Sequence, residues 1–300
     1  MNQKRVIFLG EKPLGLKCLQ LLNRLPEVDL IAVCTRLKGD FWWGRQEIID
    51  CCEKRGIPLI PRSGILSFDV DLLISVLYPF IIEPEYIRHA RSGCFNLHEA
   101  PLPRWRGCNN YSHAILAGDR FYGTTLHEMK PELDAGDIVA KRMFPIPPGA
   151  TARELYELTT QESYRLAQEW FPRILCGKYR HYPPSPGEES FLNQRDSLVG
   201  LKEVSLDTPW SRAMVITAAL DFVPWAPAYV MAHGDKYHLF LESSMGRDHA
   251  TFPDIIDLDE VDTLAAIPWN RFEVGRVGKR GRAMVICIDE RYRQQFPLRA

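Results

Sequence analysis

Short apolar runs that alternate with segments of helical periodicity are the feature that most constrains how this chain can fold. The runs occupy residues 5–9, 30–35, 72–78 and 93–97. The first three runs are rich in Val, Ile and Leu, as expected of strands that are buried on both faces of a parallel sheet, and residues 93–97 are interpreted as a further strand. Between them, residues 15–25 and 45–55 have the pattern of helices. Because such alternation implies right-handed crossovers, we predict a Rossmann-like, doubly wound α/β sheet that is mostly parallel.

The second half of the chain changes character in two steps. Thr151 and Glu154 have the spacing of a capping box, and the apolar residues that follow predict one helix over residues 152–176. A proline-rich polar stretch then predicts a linker, which we assign to residues 181–204. Strand-like runs separated by turn residues predict a small, mainly β, OB-like domain over residues 205–300. The first domain is accordingly predicted to span residues 1–180.

The charge balance and the cysteines argue against several kinds of partner. Lys plus Arg number 37 and Asp plus Glu 38, so we predict neither a nucleic-acid partner nor an acidic membrane surface. No window reaches the roughly 18 apolar residues of a membrane span, and the first apolar run is too short for a secretory signal. The eight cysteines lack C-x-x-C pairs and zinc-like spacing to histidines. We therefore expect a cytoplasmic protein with reduced thiols and no bound metal.

Asn96 and His98 lie at the end of the predicted strand 93–97. Residues two apart in a strand point to the same face, and ligands bind at the carboxyl ends of parallel strands. An amide can stabilise a developing oxyanion, and an imidazole can take a proton from an attacking amine. The pair therefore fits acyl transfer to an amine, although a capping or turn pair is the alternative interpretation.

Other segments are less specific when taken singly. The turn at residues 133–138 contains two aspartates, and an aspartate near His98 would orient the ring and favour its protonated form. The same turn could equally be an ordinary surface turn. His113 and His127 are interpreted as core or surface histidines. The glycines of residues 8–15 lack the G-x-G-x-x-G spacing, which disfavours dinucleotide binding.

Taken in order along the chain, these motifs resemble the folate-dependent formyltransferase family, which includes methionyl-tRNA, glycinamide ribonucleotide and sugar N-formyltransferases. The matching motifs are Asn96-Leu97-His98, Leu102-Pro103, Arg106-Gly107 and Asp134-Ala135-Gly136-Asp137. The resemblance covers roughly residues 5–180. It implies that residues 1–180 form a Rossmann-like catalytic domain that uses 10-formyltetrahydrofolate as co-substrate and needs no metal.

The resemblance also implies roles for individual residues. Asn96 would stabilise the oxyanion, His98 would act as general base, and Asp137 would set the protonation state of His98. The implied folate-binding residues are Leu77, Tyr78, Pro79, Phe80, Ile82, Leu102, Pro103, Leu133, Asp134 and Gly136. The predicted acceptor-binding residues are Phe41, Trp42, Arg106 and Asn109. The chain departs from the family at Lys130, where an acid is frequent.

The acceptor amine is indicated by the residues after Gly107. The stretch 108–112 is similar to sugar N-formyltransferases, whereas the preceding residues 103–107 resemble the tRNA enzymes. A basic insertion expected of a tRNA enzyme is missing after the second strand, and residues 201–300 contain 12 basic and 14 acidic side chains. Because tRNA binding needs a basic surface, we predict a nucleotide-linked amino-deoxy sugar as acceptor, as in lipopolysaccharide O-antigen synthesis.

The sequence leaves two alternative functions and one possible oligomeric state. Methionyl-tRNA formylation is the alternative enzyme, and a catalytically silent folate- or nucleotide-sugar-binding module is the alternative of another class. An apolar surface near residues 222–225 could pair subunits into a homodimer.

Overall fold

The computed structural model describes residues 3–38, 47–185, 187–222, 227–241, 257–258, 262–267, 269, 274–277 and 284–287. The chain forms two compact units that are interleaved along the sequence. The first unit comprises residues 1–110, 121–145 and 157–193, and the second comprises residues 111–120, 146–156 and 194–300. These bounds differ from the predicted division at residues 180 and 205, because two short segments within the first 180 residues group with the second unit.

The first unit is built on a six-stranded sheet with the spatial order β2-β1-β3-β4-β6-β7. The strands of this unit are β1 (Lys4–Gly10), β2 (Val28–Cys34), β3 (Leu72–Val76), β4 (Cys94–His98), β5 (Trp105–Gly107), β6 (Phe121–Glu128), β7 (Ile138–Pro145) and β8 (Phe191–Asn193). β2, β1, β3 and β4 are parallel neighbours, whereas β6 runs antiparallel to both β4 and β7. The prediction of a mostly parallel α/β sheet is confirmed, but β6 and β7 were not predicted.

The helices of the first 180 residues are α1 (Lys12–Leu22), α2 (Glu47–Arg55), α3 (Pro84–His89), α4 (Asn110–Ala117) and α5 (Ala152–Leu175). From residue 111 onwards α4 belongs to the second unit, and so does α5 up to residue 156. α1 begins three residues earlier than predicted, because Pro13 is accommodated in its first turn. At the start of α5, Thr151 N–H donates to Glu154 Oε2 at 2.8 Å and Glu154 N–H donates to Thr151 Oγ1 at 3.2 Å. The predicted capping box is therefore confirmed.

Both faces of the parallel strands are covered, which explains why their sequences are mostly apolar. On one face, Val6, Phe8 and Ile74 pack with residues of α1 and α5. On the other face, Ile7 and Leu73 belong to a second buried cluster. With neither face in water, every position of such a strand favours an apolar side chain. Polar residues that do occur in these strands therefore need a specific partner.

The second unit contains a five-stranded sheet with the order β11-β12-β13-β10-β9. Its elements are α6 (Trp210–Leu220), β9 (Tyr229–Ala232), β10 (Asp235–Leu241), β11 (Asp257–Leu258), β12 (Val274–Val277) and β13 (Met284–Cys287). Trp210, Tyr237 and Trp269 are buried in its core. The predicted β-rich region is confirmed, while its OB-like character stays a prediction. Of the apolar residues 222–225 proposed for subunit pairing, 223–225 lie outside the described residues.

Residues 181–193, which we predicted to be a linker, pair with the first unit. Tyr182 and Ile138 exchange backbone hydrogen bonds of 2.8 and 3.0 Å. Farther along, β8 pairs in parallel with β5, with Asn193 opposite Gly107. Between residues 3 and 287, none of the described helices is long and apolar enough to cross a membrane.

Candidate active site

The carboxyl end of β4 places Asn96 and His98 against one residue of the neighbouring strand. Asn96 lies opposite His127 in the antiparallel pair of β4 and β6. Asn96 Nδ2 is 3.2 Å from His127 Nε2, and the ring centroids of His98 and His127 are 6.4 Å apart. Phe95 and Leu97, which alternate with the two polar residues, are buried. The structure therefore brings the predicted amide and imidazole together at one edge of the sheet.

The tautomer of His98 follows from its hydrogen bond to the loop that leaves β4. His98 Nε2 lies 2.8 Å from the carbonyl oxygen of Trp105. A carbonyl oxygen can only accept, so Nε2 must carry the proton and donate it. In the neutral ring the lone pair is therefore on Nδ1, which faces Asp134 Oδ2 at 3.7 Å. Nδ1 is consequently the atom of His98 that can accept a proton.

Asp134 is the carboxylate of this site. Its side chain is only 8% exposed, its Oδ2 accepts the N–H of Gly107 at 2.9 Å, and its Oδ1 is 3.7 Å from His127 Nε2. Burial by itself would raise the pKa of Asp134, but the neighbouring imidazoles of His98 and His127 and the Gly107 N–H outweigh it and lower the pKa. The carboxylate is therefore ionised at neutral pH, between two histidines.

Our prediction that Asp137 lies beside His98 is wrong in its geometry. Asp137 Oδ1 bonds to Lys130 Nζ at 2.5 Å, in a pair whose side chains are 21% and 47% exposed. The residue that faces His98 is Asp134, which has a left-handed φ of 50°. That backbone conformation turns the side chain inward, whereas Asp137 directly precedes β7 and faces Lys130. The two aspartates of one short motif thus have different partners.

Gly136 allows this turn to lie directly on β6. A Cβ atom at this position would be 1.6 Å from the carbonyl oxygen of Glu128 and 3.3 Å from His127 Nδ1. Real Cβ atoms do not approach so closely, so the turn can pack here only with glycine. The glycine of the motif therefore has a steric reason, which the resemblance to a folate-binding turn did not reveal.

His127 is buried, as a core histidine would be, but it also orients the side-chain amide of Asn96. Burial lowers the pKa of His127 to about 4, so the ring is neutral at physiological pH. Its Nδ1 lies 2.8 Å from the Glu128 carbonyl oxygen and must donate to it, which leaves Nε2 as an acceptor. Asn96 must therefore turn its NH₂ group, not its carbonyl oxygen, towards His127. The sequence could have indicated this role of His127 only through its pairing opposite Asn96. That pairing could not be recognised because β6 was not predicted.

The loop from Glu99 to Gly107 is held by polar side chains of β6. Thr124 Oγ1 donates to the His98 carbonyl oxygen at 3.0 Å, and Thr125 Oγ1 donates to the Ala100 carbonyl oxygen at 2.8 Å. Thr125 Oγ1 also accepts the N–H of Leu102 at 3.1 Å. These bonds fix the start of the loop, including the peptide between Leu102 and Pro103, which is cis.

The predicted folate segment follows β3 at the same edge of the sheet. Val76 pairs with Leu97, so Leu77 lies at the level of His98. Phe80 is 48% exposed and packs edge-on against Tyr78, and Leu133 in the second predicted segment is also exposed. The side chains of Ile82 and Leu102 are buried, and Pro79, Pro103 and Gly136 are buried or half-buried. Their contact with folate stays a prediction.

The structure describes only two of the four residues that were predicted to contact the acceptor. Phe41 and Trp42 lie outside the described residues. The guanidinium of Arg106 is 14% exposed and is engaged by the turn, with 2.8 Å bonds to the Leu133 carbonyl oxygen and to Glu132 Oε1. Asn109 is half-buried and adopts a left-handed φ of 59°. Arg106 therefore serves the 132–133 turn in this structure, and a role towards the acceptor stays a prediction.

One group of potential metal ligands occurs near the turn. The ligand atoms of Glu128, Asp137 and His181 lie within 4.8 Å of one another. The ammonium group of Lys130 bonds to Asp137, and His181 Nδ1 is 2.8 Å from Glu128 Oε1. Each of the two carboxylates is thus paired with a basic side chain, and the cationic Lys130 opposes a metal ion, so we assign no metal to this group.

Comparisons with known proteins point to one family. The family model described as formyl transferase matches residues 62–173, which include β3, β4 and the Asp134 turn. A methionyl-tRNA formyltransferase of Bdellovibrio bacteriovorus is 30% identical over 255 residues, which are 80% of this chain and 78% of that protein.

Solved structures share the fold over nearly the whole chain. The N-formyltransferase from Helicobacter canadensis, in complex with folinic acid and dTDP-3-aminofucose, has a TM-score of 0.66 at 16% identity and covers 95% of this chain and 99% of its own. A sugar 3N-formyltransferase, solved in the presence of dTDP and 5-N-formyl-THF, has a TM-score of 0.68 at 17% identity, with coverages of 95% and 97%.

Proposed function

The chain belongs to the formyl transferase family, and from this premise we propose that it moves the formyl group of 10-formyltetrahydrofolate to the primary amine of a nucleotide-linked amino-deoxy sugar. The observation that carries the proposal is the arrangement of Asn96, His98 and Asp134 at the carboxyl edge of the sheet. This arrangement supplies a donor, a base and a charge partner within one half-buried cluster, which is what acyl transfer to an amine requires.

In this proposal His98 acts as the base through Nδ1. The acceptor nitrogen bonds to the formyl carbon, the bond from that carbon to the folate nitrogen breaks, and the amine proton passes to Nδ1. The resulting imidazolium keeps its Nε2–H on the Trp105 carbonyl and faces ionised Asp134 with its new Nδ1–H. A nearby carboxylate stabilises the charged ring, so proton transfer does not leave a buried, uncompensated charge. The proton returns to the nitrogen of the departing tetrahydrofolate.

Asn96 stabilises the negative charge that develops on the formyl oxygen. One N–H of its amide is used by His127 Nε2. The second N–H has no partner among the residues that the structure describes, and neutral His127 keeps the NH₂ group turned into the site. A donor that is oriented before the reaction costs no reorganisation when the charge appears. His127 thus belongs to the same proposal as a residue that positions Asn96.

The choice of a sugar amine has three supports. The stretch after Gly107 is similar to that of sugar N-formyltransferases, and residues 201–300 are slightly acidic, with 12 basic and 14 acidic residues. Two solved structures of the same fold were obtained with dTDP-3-aminofucose or dTDP. Such an acceptor would place the enzyme in cell-surface polysaccharide synthesis, including O-antigen synthesis, with the protein in the cytoplasm. The second candidate, methionyl-tRNA formylation, is favoured by the Bdellovibrio bacteriovorus relative.

An acceptor panel tests the proposal directly. The protein is incubated with 10-formyltetrahydrofolate and dTDP-, GDP- and UDP-linked amino sugars, and separately with methionyl-tRNA, and the mass gained on formylation is measured. We expect a nucleotide sugar to be formylated. Methionyl-tRNA should not be formylated at a comparable rate. Formylated methionyl-tRNA with unreacted sugars would establish the second candidate instead. Binding of folate and sugar without any transfer would favour a silent binding module.

The role of His98 is tested in the same assay. Replacement of His98 by Gln removes the proton acceptor at Nδ1 and should lower kcat by about 10²-fold or more. His113, which bonds to Ser197 Oγ at 2.8 Å in the second unit, provides a matched control, and its replacement by Gln should leave kcat within about twofold. Equal turnover of the His98 variant and the wild type would refute the mechanism.

A further inference from the structure

Asn110 is the first residue of α4, and both the nitrogen and the oxygen of its side-chain amide form hydrogen bonds next to the candidate active site. The residue is 5% exposed. Its Nδ2 lies 3.3 Å from the Trp105 carbonyl oxygen and 3.1 Å from the Gly107 carbonyl oxygen, and its Oδ1 accepts Asn193 Nδ2 at 3.0 Å. Because Asn193 supplies the hydrogen to Oδ1, the orientation of the Asn110 amide is determined. Its two N–H groups must then point at the two loop carbonyls.

The Trp105 carbonyl is also the acceptor for His98 Nε2, at 2.8 Å. Two acceptors compete for the single proton of the neutral His98 ring. The Trp105 carbonyl faces Nε2, whereas the stronger acceptor, the carboxylate of Asp134, faces Nδ1 at 3.7 Å. The proton stays on Nε2 only while the carbonyl is held at its short distance. A loop that moved away would let the proton pass to Nδ1, and the base would lose its lone pair at that atom.

We propose that Asn110, oriented by Asn193, is a positioning residue that holds the Trp105 carbonyl against His98 and thereby keeps the lone pair of the base on Nδ1. The inference rests on the proposed function of His98 as a base at Nδ1. Asn110 Nδ2 also lies 3.4 Å from His98 Nε2, but both nitrogens carry hydrogen in this arrangement and do not bond to each other. The orienting effect of the two asparagines on His98 therefore passes through the Trp105 carbonyl.

The segment that carries Asn193 is itself fastened to the loop. Cys108 N–H donates to the Asn193 carbonyl oxygen at 2.9 Å, and Phe191 N–H donates to the Arg104 carbonyl oxygen at 2.8 Å. The rings of Trp105 and Phe191 stack with centroids 5.2 Å apart. A Cβ atom on Gly107 would lie 2.2 Å from the Asn193 carbonyl oxygen, so β5 and β8 approach as closely as glycine permits. The donor for Asn110 is therefore presented by a fixed strand.

The test reads the tautomer of His98 directly. Full-length protein labelled with ¹³C and ¹⁵N in histidine is studied by NMR at a mildly alkaline pH, without substrates, and the His98 signals are assigned by their absence from His98→Gln. We expect the Nε2–H tautomer in the wild type. Asn110→Leu, of similar size but without hydrogen-bonding groups, should shift the population towards Nδ1–H. Asn193→Leu should shift it in the same direction by a smaller amount.

Kinetics of the same variants give the second readout. Loss of the bonds from Asn110 should lower kcat about fivefold to tenfold, with the KM values for folate and acceptor within about twofold. Asn193→Gln, which keeps an N–H donor, should retain more activity than Asn193→Leu. Glu189→Gln is the matched control, because Glu189 belongs to the same segment but pairs with Arg104, not with Asn110. This control should leave both the tautomer and kcat unchanged.

The possible results separate this inference from the proposed function. An unchanged tautomer in both leucine variants overturns the positioning role, whatever happens to kcat. An equal shift in Glu189→Gln overturns it too, because it would reflect a general loosening of the loop. If Asn110→Leu does not fold, the half-exposed position of Asn193 still allows Asn193→Leu to decide. If the tautomer shifts but the wild type transfers no formyl group, the proposed function fails while the control of His98 by Asn110 stands.

Discussion

The turn between β6 and β7, residues 129–137, presents one aspartate on each of two sides, and the two sides have different chemistry. On the inner side, Asp134 is 8% exposed and meets His98, His127 and the N–H of Gly107. On the outer side, Asp137 pairs with Lys130, which is 47% exposed. Residues of the same type, three positions apart, therefore have separate uses. Burial beside imidazoles marks Asp134 as the functional candidate, whereas an exposed ion pair does not.

The largest expected difference between the two sides is in catalysis. Asp134→Asn removes the charge that faces His98 and should lower kcat by about 10²-fold or more. Asp137→Asn removes only the partner of Lys130 and should leave kcat within about threefold. Steady-state kinetics of the two variants, with folding checked by circular dichroism, compare them directly. A severe defect in Asp137→Asn with a mild one in Asp134→Asn would reverse the comparison.

The inner side should also account for a pH dependence of stability. The pKa of His127 falls from 6.5 to about 4 on folding because the ring is buried. Between these two pH values the His127 ring is protonated in the unfolded chain but not in the native protein. The free energy of unfolding must therefore decrease as the pH falls from 6.5 to about 4. The decrease attributable to His127 is about 3 kcal/mol at most. The contribution of ionised Asp134 is lost in a lower window, because its pKa lies below the ordinary value of 3.8.

Urea unfolding at several pH values measures this effect. His127→Gln keeps a side chain that can bond to Asn96 but cannot titrate, so the slope between pH 6.5 and 4 should become shallower. The difference between the slopes of wild type and variant isolates His127 from other titrating groups. Identical slopes would show that His127 is not the source of the pH dependence.

The smallest effect is expected on the outer side. Lys130→Met removes an ion pair whose members are 47% and 21% exposed, and water and salt screen such pairs. The free energy of unfolding should change by less than about 1 kcal/mol, and the change should shrink at high salt. Urea titrations at low and high salt provide the measurement. A loss well above that size would mean that the outer pair holds the turn in place.

The strands that could be predicted from the sequence are those whose buried residues are mainly apolar. The runs that became β1 to β4 have buried apolar residues on both faces of the sheet, and apolar residues predominate in each of them. β6 is buried from Tyr122 to His127 as well, yet it contains threonines and a histidine. Thr124 and Thr125 are accommodated because each donates to a backbone carbonyl next to β4. Hydrogen bonds between segments that are distant in sequence produce no apolar pattern along the chain. For this reason β6 was not predicted.

The error over the two aspartates has the same origin. Asn96 and His98 could be placed together because one strand carries both. The choice between Asp134 and Asp137 depends on how the turn connects two antiparallel strands, and neither strand was predicted. Asn110 and Asn193 were still harder to relate, since 83 positions separate them and neither belongs to a periodic pattern. Local residue spacing identified Asn96 and His98 as candidate reacting groups, and only tertiary contacts identified the residues that orient them.

The pairing of β8 with β5 determines how far the chain can be shortened without losing this loop. A fragment that ends at residue 180, the boundary suggested by the proline-rich stretch, would lack the Asn193 carbonyl that receives Cys108 N–H and the ring that stacks on Trp105. Its sheet would be complete and its active-site loop unsupported. Shortened forms for crystallisation, inhibitor screening or exchange of acceptor-binding regions should therefore keep the chain through residue 193.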